Sequence, residues 1–295
     1  MSFTFDTLVM VLTLLGAGGI AGITTGLFGV GGGFIIVPTL LAVLPIFADA
    51  PDTLVHTAVG TSLASIIVSS VRAVQAHRRH GAVDFAVLRS WAPWLTLGVC
   101  VGLWVASKVD AQRLVLVFAI GVAVYSIYFI FPGWFRRYAN PWNLPTGGGL
   151  ALLASALGGF SALLGIGGGT PFVVTMVVCG RTAHQAVATA AGVGFIIAVP
   201  GALGFLALGM LDPKPLPEGS LGYIHIPALL AISFMTLFTS PLGARIARRL
   251  NEVHLKRAFG LYLLMISGTM FQKFVYVLIM ALRHGFPKRQ VRTKP

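Results

Sequence analysis

Long runs of uncharged apolar residues, interrupted by short polar or glycine-rich segments, occupy most of this 295-residue chain. Their lengths predict helices near 7–28, 34–47, 57–76, 85–106, 114–131, 146–164, 171–180, 186–209, 225–246 and 256–281. Most reach the roughly 20 residues that a membrane crossing requires, but 34–47 and 171–180 do not. Each short segment directly follows a glycine cluster, Gly29-Val30-Gly31-Gly32-Gly33 or Gly165-Ile166-Gly167-Gly168-Gly169. Bare backbone at membrane depth is tolerated only where protein or a cavity surrounds it. Both segments are therefore expected to be half-helices that start at a break. Broken helices at corresponding places in two halves are the best sequence pointer to a transporter's binding site.

The chain also matches itself. The glycine clusters correspond at an offset of 136, and Ala58-Val59-Gly60-Thr61-Ser62 resembles Ala186-Val187-Ala188-Thr189-Ala190 at 128. Gly81 to Phe85 pairs with Gly222 to Ile226, and Gly102 with Gly243, both at 141. Four matches in the same order imply a duplicated unit: a first transmembrane repeat over 1–135, a linker at 136–145, a second repeat over 146–282 and a basic tail at 283–295. Loop charge changes sides between the halves, Arg78 and Arg79 in the first against Arg245 to Arg257 in the second. That exchange favours an inverted repeat, although the basic tail works against it. The expected fold is an all-α, polytopic helical membrane protein with about 8–10 membrane segments, some of them short or re-entrant.

Composition agrees. Hydrophobic residues make up 56% of the chain and charged ones 10%, and the mean hydropathy is +0.88, values foreign to ordinary water-soluble domains. The formal net charge of +13 lies in short clusters between apolar runs, as cytoplasmic loops facing anionic lipid do, so nucleic acid is not an expected partner. Cys100 and Cys179 both fall in apolar stretches, which provides no disulfide framework. An integral protein of a bacterial cytoplasmic membrane is the expected setting. The first apolar run lacks the flanks of a signal peptide.

Several chemistries find no footing. All eight acidic residues lie at helix ends or in loops, so a mid-membrane carboxylate relay is unsupported. The seven histidines are scattered without metal-ligand spacing. No Lys-Ser/Thr follows either glycine cluster, and the dinucleotide fingerprint fails at Phe34 and Thr170. No cofactor, metal or enzymatic activity is expected.

What remains suits an anion. A helix start exposes unpaired N–H groups and carries about half a positive charge, and glycine lets the backbone approach a ligand closely. Gly31, Gly32 and Gly33 with Gly167, Gly168 and Gly169 are the candidate backbone ligands. The same glycines also have the spacing that packs membrane helices tightly. Hydroxyls accompany them: Thr25 before the first break, Ser161 before the second, Thr170 opening the second half-helix, and Thr61, Ser62 and Thr189 in the next helix of each half. Such groups can meet anion oxygens or bond the carbonyl one turn back. Arg72 sits inside an apolar segment and shares a face with Gln75 and Arg79. It is a candidate for guiding an anion inward, or for snorkelling to headgroups.

The run Gly26-Leu27-Phe28-Gly29-Val30-Gly31-Gly32-Gly33 with Pro38, then Gly60-Thr61-Ser62, then His77 to Asp84, then the second glycine triplet, resembles the TauE/SafE family of membrane transporters over essentially the whole chain. The second copy departs from the first at Thr170-Pro171, where proline stands next to the glycines. The resemblance implies about eight spans in two repeats and movement of sulfite, sulfoacetate or other organosulfonates, usually outward. The expected function is a secondary carrier of small sulfur-containing anions working by alternating access, with the first break as the favoured half-site. The alternatives are an anion or small-solute channel, a carrier of a non-sulfur organic anion, and a membrane-embedded enzyme or assembly subunit that moves sulfur. A proton or sodium as coupling ion and a homo-oligomer are both compatible with the sequence.

Overall fold

A computed structural model describes residues 2–29, 31–46, 53–78, 81–131 and 144–246, together with 257, 260, 261, 263–269, 271 and 272. The linker from 132 to 143, Arg79, the basic segment 247–256 and the tail beyond 272 lie outside these residues. Nine helices follow in order among the described residues: α1 (Ser2–Phe28), α2 (Gly33–Val43), α3 (Leu54–Arg78), α4 (Phe85–Lys108), α5 (Ala111–Ile130), α6 (Gly147–Leu164), α7 (Gly169–Val178), α8 (Ala183–Leu211) and α9 (Ile226–Ile246). Six of them, α1, α3, α4, α6, α8 and α9, contain a stretch long and apolar enough to cross a membrane. α2 and α7 are short, at 11 and 10 residues, and each begins within its glycine cluster as the sequence predicts. Pro171 leaves α7 intact because it occupies the first turn, whose N–H groups have no intrahelical acceptor.

The molecule is apolar on the outside. Leu12, Trp104, Leu152, Leu203 and Phe234 are exposed, whereas Thr57, Thr61, Ser62, Ser65, Ser69 and Ser70, all on α3, are buried. In water that distribution would be inverted; in lipid, the polar helix belongs inside. α3 is accordingly the most enclosed span, packed against α8, α9 and α2. Its hydroxyls remain tolerable at depth because several bond backward along the helix, Thr57 to the Thr53 carbonyl and Ser65 to that of Thr61.

Two helix pairs flank this centre, α1 with α9 and α4 with α6. Both are close backbone crossings made possible by glycine. A Cβ on Gly102 of α4 would stand 2.6 Å from the Gly159 carbonyl oxygen of α6. One on Gly243 of α9 would overlap the Ile23 carbonyl oxygen of α1. Such contacts replace side-chain interdigitation with direct backbone packing, the usual means of associating helices in lipid.

Loops use local caps. The Asp84 carboxylate accepts from the Val87 amide at 3.1 Å at the start of α4, and Thr182 does the same for Gln185 at 3.3 Å before α8. Ahead of α9 the chain forms a small hairpin that the hydropathy pattern does not reveal, β1 (Ser220–Leu221) against β2 (Ile224–His225), turned at Gly222 with φ +53°.

Replacing Gly102 or Gly243 by leucine should force one crossing apart and cost about 1–3 kcal/mol or more. The check is thermal unfolding in detergent, with Gly148→Leu as control, since nothing lies within 4 Å of a Cβ there. A Gly102→Leu protein as stable as the control would contradict the packing described.

Candidate functional site

The two breaks have the same backbone. Gly29, Gly31 and Gly32 have φ of +66°, +84° and +69°, and Gly165, Gly167 and Gly168 have +65°, +67° and +72°. L-residues avoid these left-handed values, which explains glycine at each position. Gly32 and Gly168 are the N-caps of α2 and α7, and neither receives a side-chain cap. Among the described residues the amides of Gly167 and Gly168 meet no carbonyl acceptor. A helix start of this kind, buried and uncapped, is open to an anion.

The breaks lie against each other. A Cβ on Gly33 would overlap the Gly165 carbonyl oxygen, and one on Gly31 would come within 2.8 Å of that of Ile166. Gly31 and Gly167 both face the Ile66 side chain of α3. All six candidate glycines, Gly31, Gly32, Gly33, Gly167, Gly168 and Gly169, are buried, but Gly32 faces Ala21 and Thr25 and Gly168 faces Ile197 and Ser161.

The hydroxyls divide into used and unused. Thr25 Oγ1 donates to the Ala21 carbonyl of its own helix at 2.7 Å. Ser62 Oγ donates to the Gly165 carbonyl at 2.8 Å, tying α3 to the second break. Thr61 Oγ1 accepts from the His225 amide at 2.8 Å, and Thr189 Oγ1 from the Asp84 amide at 3.0 Å. The two bonds are alike in form: Thr61 holds the segment before α9 and Thr189 the segment before α4. By contrast Ser161 Oγ, Thr170 Oγ1 and Ser70 Oγ are buried with no partner. Ser161 Oγ lies 3.2 Å from where a Gly168 Cβ would be, and Thr170 is the second residue of α7. Ser70 contacts Gly194, which in turn neighbours the Gly167 carbonyl. Of the five buried unpaired hydroxyls among the described residues, three therefore lie at or beside the second break and none at the first; the others, Ser220 and Ser233, belong to the hairpin and to α9.

Arg72 stands elsewhere. Its Nε donates to the Leu237 carbonyl of α9 at 3.1 Å, and one terminal nitrogen to Gln75 Oε1 at 3.3 Å. Leu237 precedes Pro241 by four positions, so its carbonyl is the one left without an intrahelical donor by that proline. The guanidinium supplies the missing N–H. The signal was present in the sequence as Pro241, but the pairing spans 165 residues.

A polar cavity of about 630 Å³ was not anticipated. It is lined by His56, the α4 terminus from Ala106 to Asp110, Leu208, Leu211, Asp212, Lys214 and Tyr223. His56 Nε2 lies 3.2 Å from the Ala106 carbonyl, and its ring stacks on Tyr223 with centroids 5.1 Å apart. Tyr223 donates its hydroxyl to the Asp212 carboxylate. Burial pushes the Asp212 carboxyl upward, but the hydrogen bonds from Tyr223 and the Lys214 amide, with the Lys214 charge, outweigh it and hold Asp212 below the ordinary value. Tyr223 is raised well above the ordinary phenol, by burial first and then by that carboxylate. One sequence clue existed: His56 and His184 each precede the paired threonine, Thr61 or Thr189, by five residues. On the far side His184 meets His77 edge-on at 5.9 Å, near the Asp84–Arg181 ion pair at 3.9 Å.

A family model described as sulfite exporter TauE/SafE matches residues 14–270. The chain belongs to this family. A probable membrane transporter protein of Haemophilus influenzae is 34% identical over 274 residues, covering 90% of this chain and 99% of that protein. Another of Methanocaldococcus jannaschii is 26% identical over 263 residues, 85% of this chain and 92% of its own length. No solved structure matches the chain. With six helices among the described residues long and apolar enough to span a bilayer, this TauE/SafE member is an integral membrane transporter and not an enzyme.

Removing the Arg72 side chain by Arg72→Leu should destabilise the transporter by about 1–2 kcal/mol, because the Leu237 carbonyl loses its donor. In a Pro241→Ala background the restored amide takes that carbonyl, and Arg72→Leu should cost about 1 kcal/mol less. Unfolding midpoints of the four proteins in detergent measure the coupling; additive effects would refute it.

Proposed function

We propose that this chain is a secondary carrier of small oxyanions, sulfite or an organosulfonate, that moves them outward by alternating access between two homologous repeats. The cargo is held at the second break, by the amides of Gly167 and Gly168 and the hydroxyls of Ser161 and Thr170. The observation that carries this reading is the pair of buried, unpartnered hydroxyls at an uncapped helix start. A buried hydroxyl without a partner costs about 1–3 kcal/mol, and an anion oxygen would relieve two such costs at once. A sulfonate distributes one charge over three acceptor oxygens, which suits amides and hydroxyls without a fixed counter-ion. The family description supplies sulfite as the member of this class to test first.

Duplication is supported by the equal succession of positive φ at the two breaks and by the crossed bonds of Thr61 and Thr189. Alternating access follows if the halves rock about their shared contact. Ile197 now closes on the second break, where a Gly168 Cβ would overlap its Cδ1, so cargo enters when α8 moves away from α7. At the first break Thr25 is already satisfied within α1, which makes the two half-sites unequal.

Glycine substitutions would test packing and binding together, so the hydroxyls are the cleaner target. Ser161→Ala with Thr170→Val removes two unpaired groups and should leave the unfolding midpoint unchanged or raised. Sulfite and methanesulfonate flux in proteoliposomes should fall at least about tenfold, since each bond to a charged acceptor is worth about 1.5–3 kcal/mol. Undiminished flux would remove the second break as the binding site.

A further inference from the structure

The cavity at the end of α4 contains a titratable group that cargo binding at the breaks does not use. His56 is 8% exposed, and its Nδ1 is buried with no partner. The Ala106 carbonyl can only accept, so Nε2 carries the neutral ring's proton and Nδ1 holds a lone pair. That carbonyl lies in the last turn of α4, where no following amide reaches it. The tautomer is thus set by the helix end. The groups facing His56 are Lys108 and Asp110 from the end of α4 and the turn after it, Asp212 and Lys214 after α8, and Tyr223 from the hairpin. Asp212 is engaged by Tyr223 and by the Lys214 amide. Among the described residues neither lysine forms an ion pair. The cavity is the size of a small-molecule site, and His56 stands six residues, about 9 Å along α3, from Ser62 at the second break.

We propose that this cavity is a second anion-binding site, with Lys108 and Lys214 as its fixed charges, in which His56 takes up a proton as the anion arrives. It rests on the anionic cargo proposed above. A proton on Nδ1 turns a neutral wall of the cavity into a cationic one, and a resident anion stabilises that charge, so each favours the other's binding. Carboxylates, ammonium groups and phenols do not ordinarily change charge between about pH 5.5 and 8.5, whereas imidazole does. Anion loading from this face is therefore proton-linked.

The test uses methanesulfonate, whose own charge is constant over this range, with uncharged dimethyl sulfone as control. Affinity is read from thermal stabilisation of the full chain in detergent between pH 5.5 and 8.5. Wild type should bind more weakly by about tenfold per pH unit above the His56 titration, and the sulfone should show no such slope. His56→Gln retains a donor for the Ala106 carbonyl and should bind with an affinity independent of pH. Lys108→Gln with Lys214→Gln should weaken binding at every pH and leave the slope. Ser161→Ala with Thr170→Val should keep the slope although transport is lost, which separates this site from the break. A pH-independent wild-type affinity, or an unchanged slope in His56→Gln, overturns the proton linkage and leaves the anion cargo standing. No methanesulfonate binding at any pH overturns both.

Discussion

A backbone group exposed by a break, a proline or a helix end inside this protein must find its partner in the protein or in what the protein binds, because lipid offers none. Most of the polar side chains described above serve that single requirement. Ser62 meets the Gly165 carbonyl, Arg72 the Leu237 carbonyl opened by Pro241, and His56 the Ala106 carbonyl at the end of α4. Thr61 and Thr189 receive the amides of His225 and Asp84. Of the six buried side-chain atoms left unpaired among the described residues, three lie at or beside the second break and one, His56 Nδ1, borders the cavity.

The same constraint shapes the packing. Without a hydrophobic driving force between helices in lipid, association depends on close contact, and glycine allows carbonyls and Cα atoms of facing helices to touch. Both α1–α9 and α4–α6 pack this way, and so do the two breaks against each other. Side chains fill the space around these backbone contacts, as where the Trp91 ring meets Phe172 edge-on at 5.0 Å. Relative movement then disturbs named contacts, among them Ile197 over Gly168 and the bonds of Thr61 and Thr189.

Polar chemistry is unevenly distributed between the two ends of the central helices. At one end a cavity is bordered by His56, Asp212 and Tyr223; at the other His77 and His184 meet beside the Asp84–Arg181 pair. Two histidines at corresponding positions thus have different surroundings.

Much was legible in the chain itself. Hydropathy marked the six long spans, while most of the helix expected at 256–281 lies outside the described residues, and the glycine runs determined where two helices would restart, because a left-handed backbone and a close approach are local demands that glycine alone meets without strain. The threonines at matching positions were visible for the same reason. Their roles were not. Whether a hydroxyl at depth is bound or free depends on groups a hundred or more residues away, as with Ser62 and Gly165 or Arg72 and Leu237. Thr25 is committed locally, to the carbonyl one turn back, but only the tertiary structure decided that Thr170 is left unpaired, that Arg72 repairs a proline break, and that His56 borders a cavity. Hydrogen-bond partnership in a membrane core is a property of which helices meet, and one-dimensional spacing does not carry it.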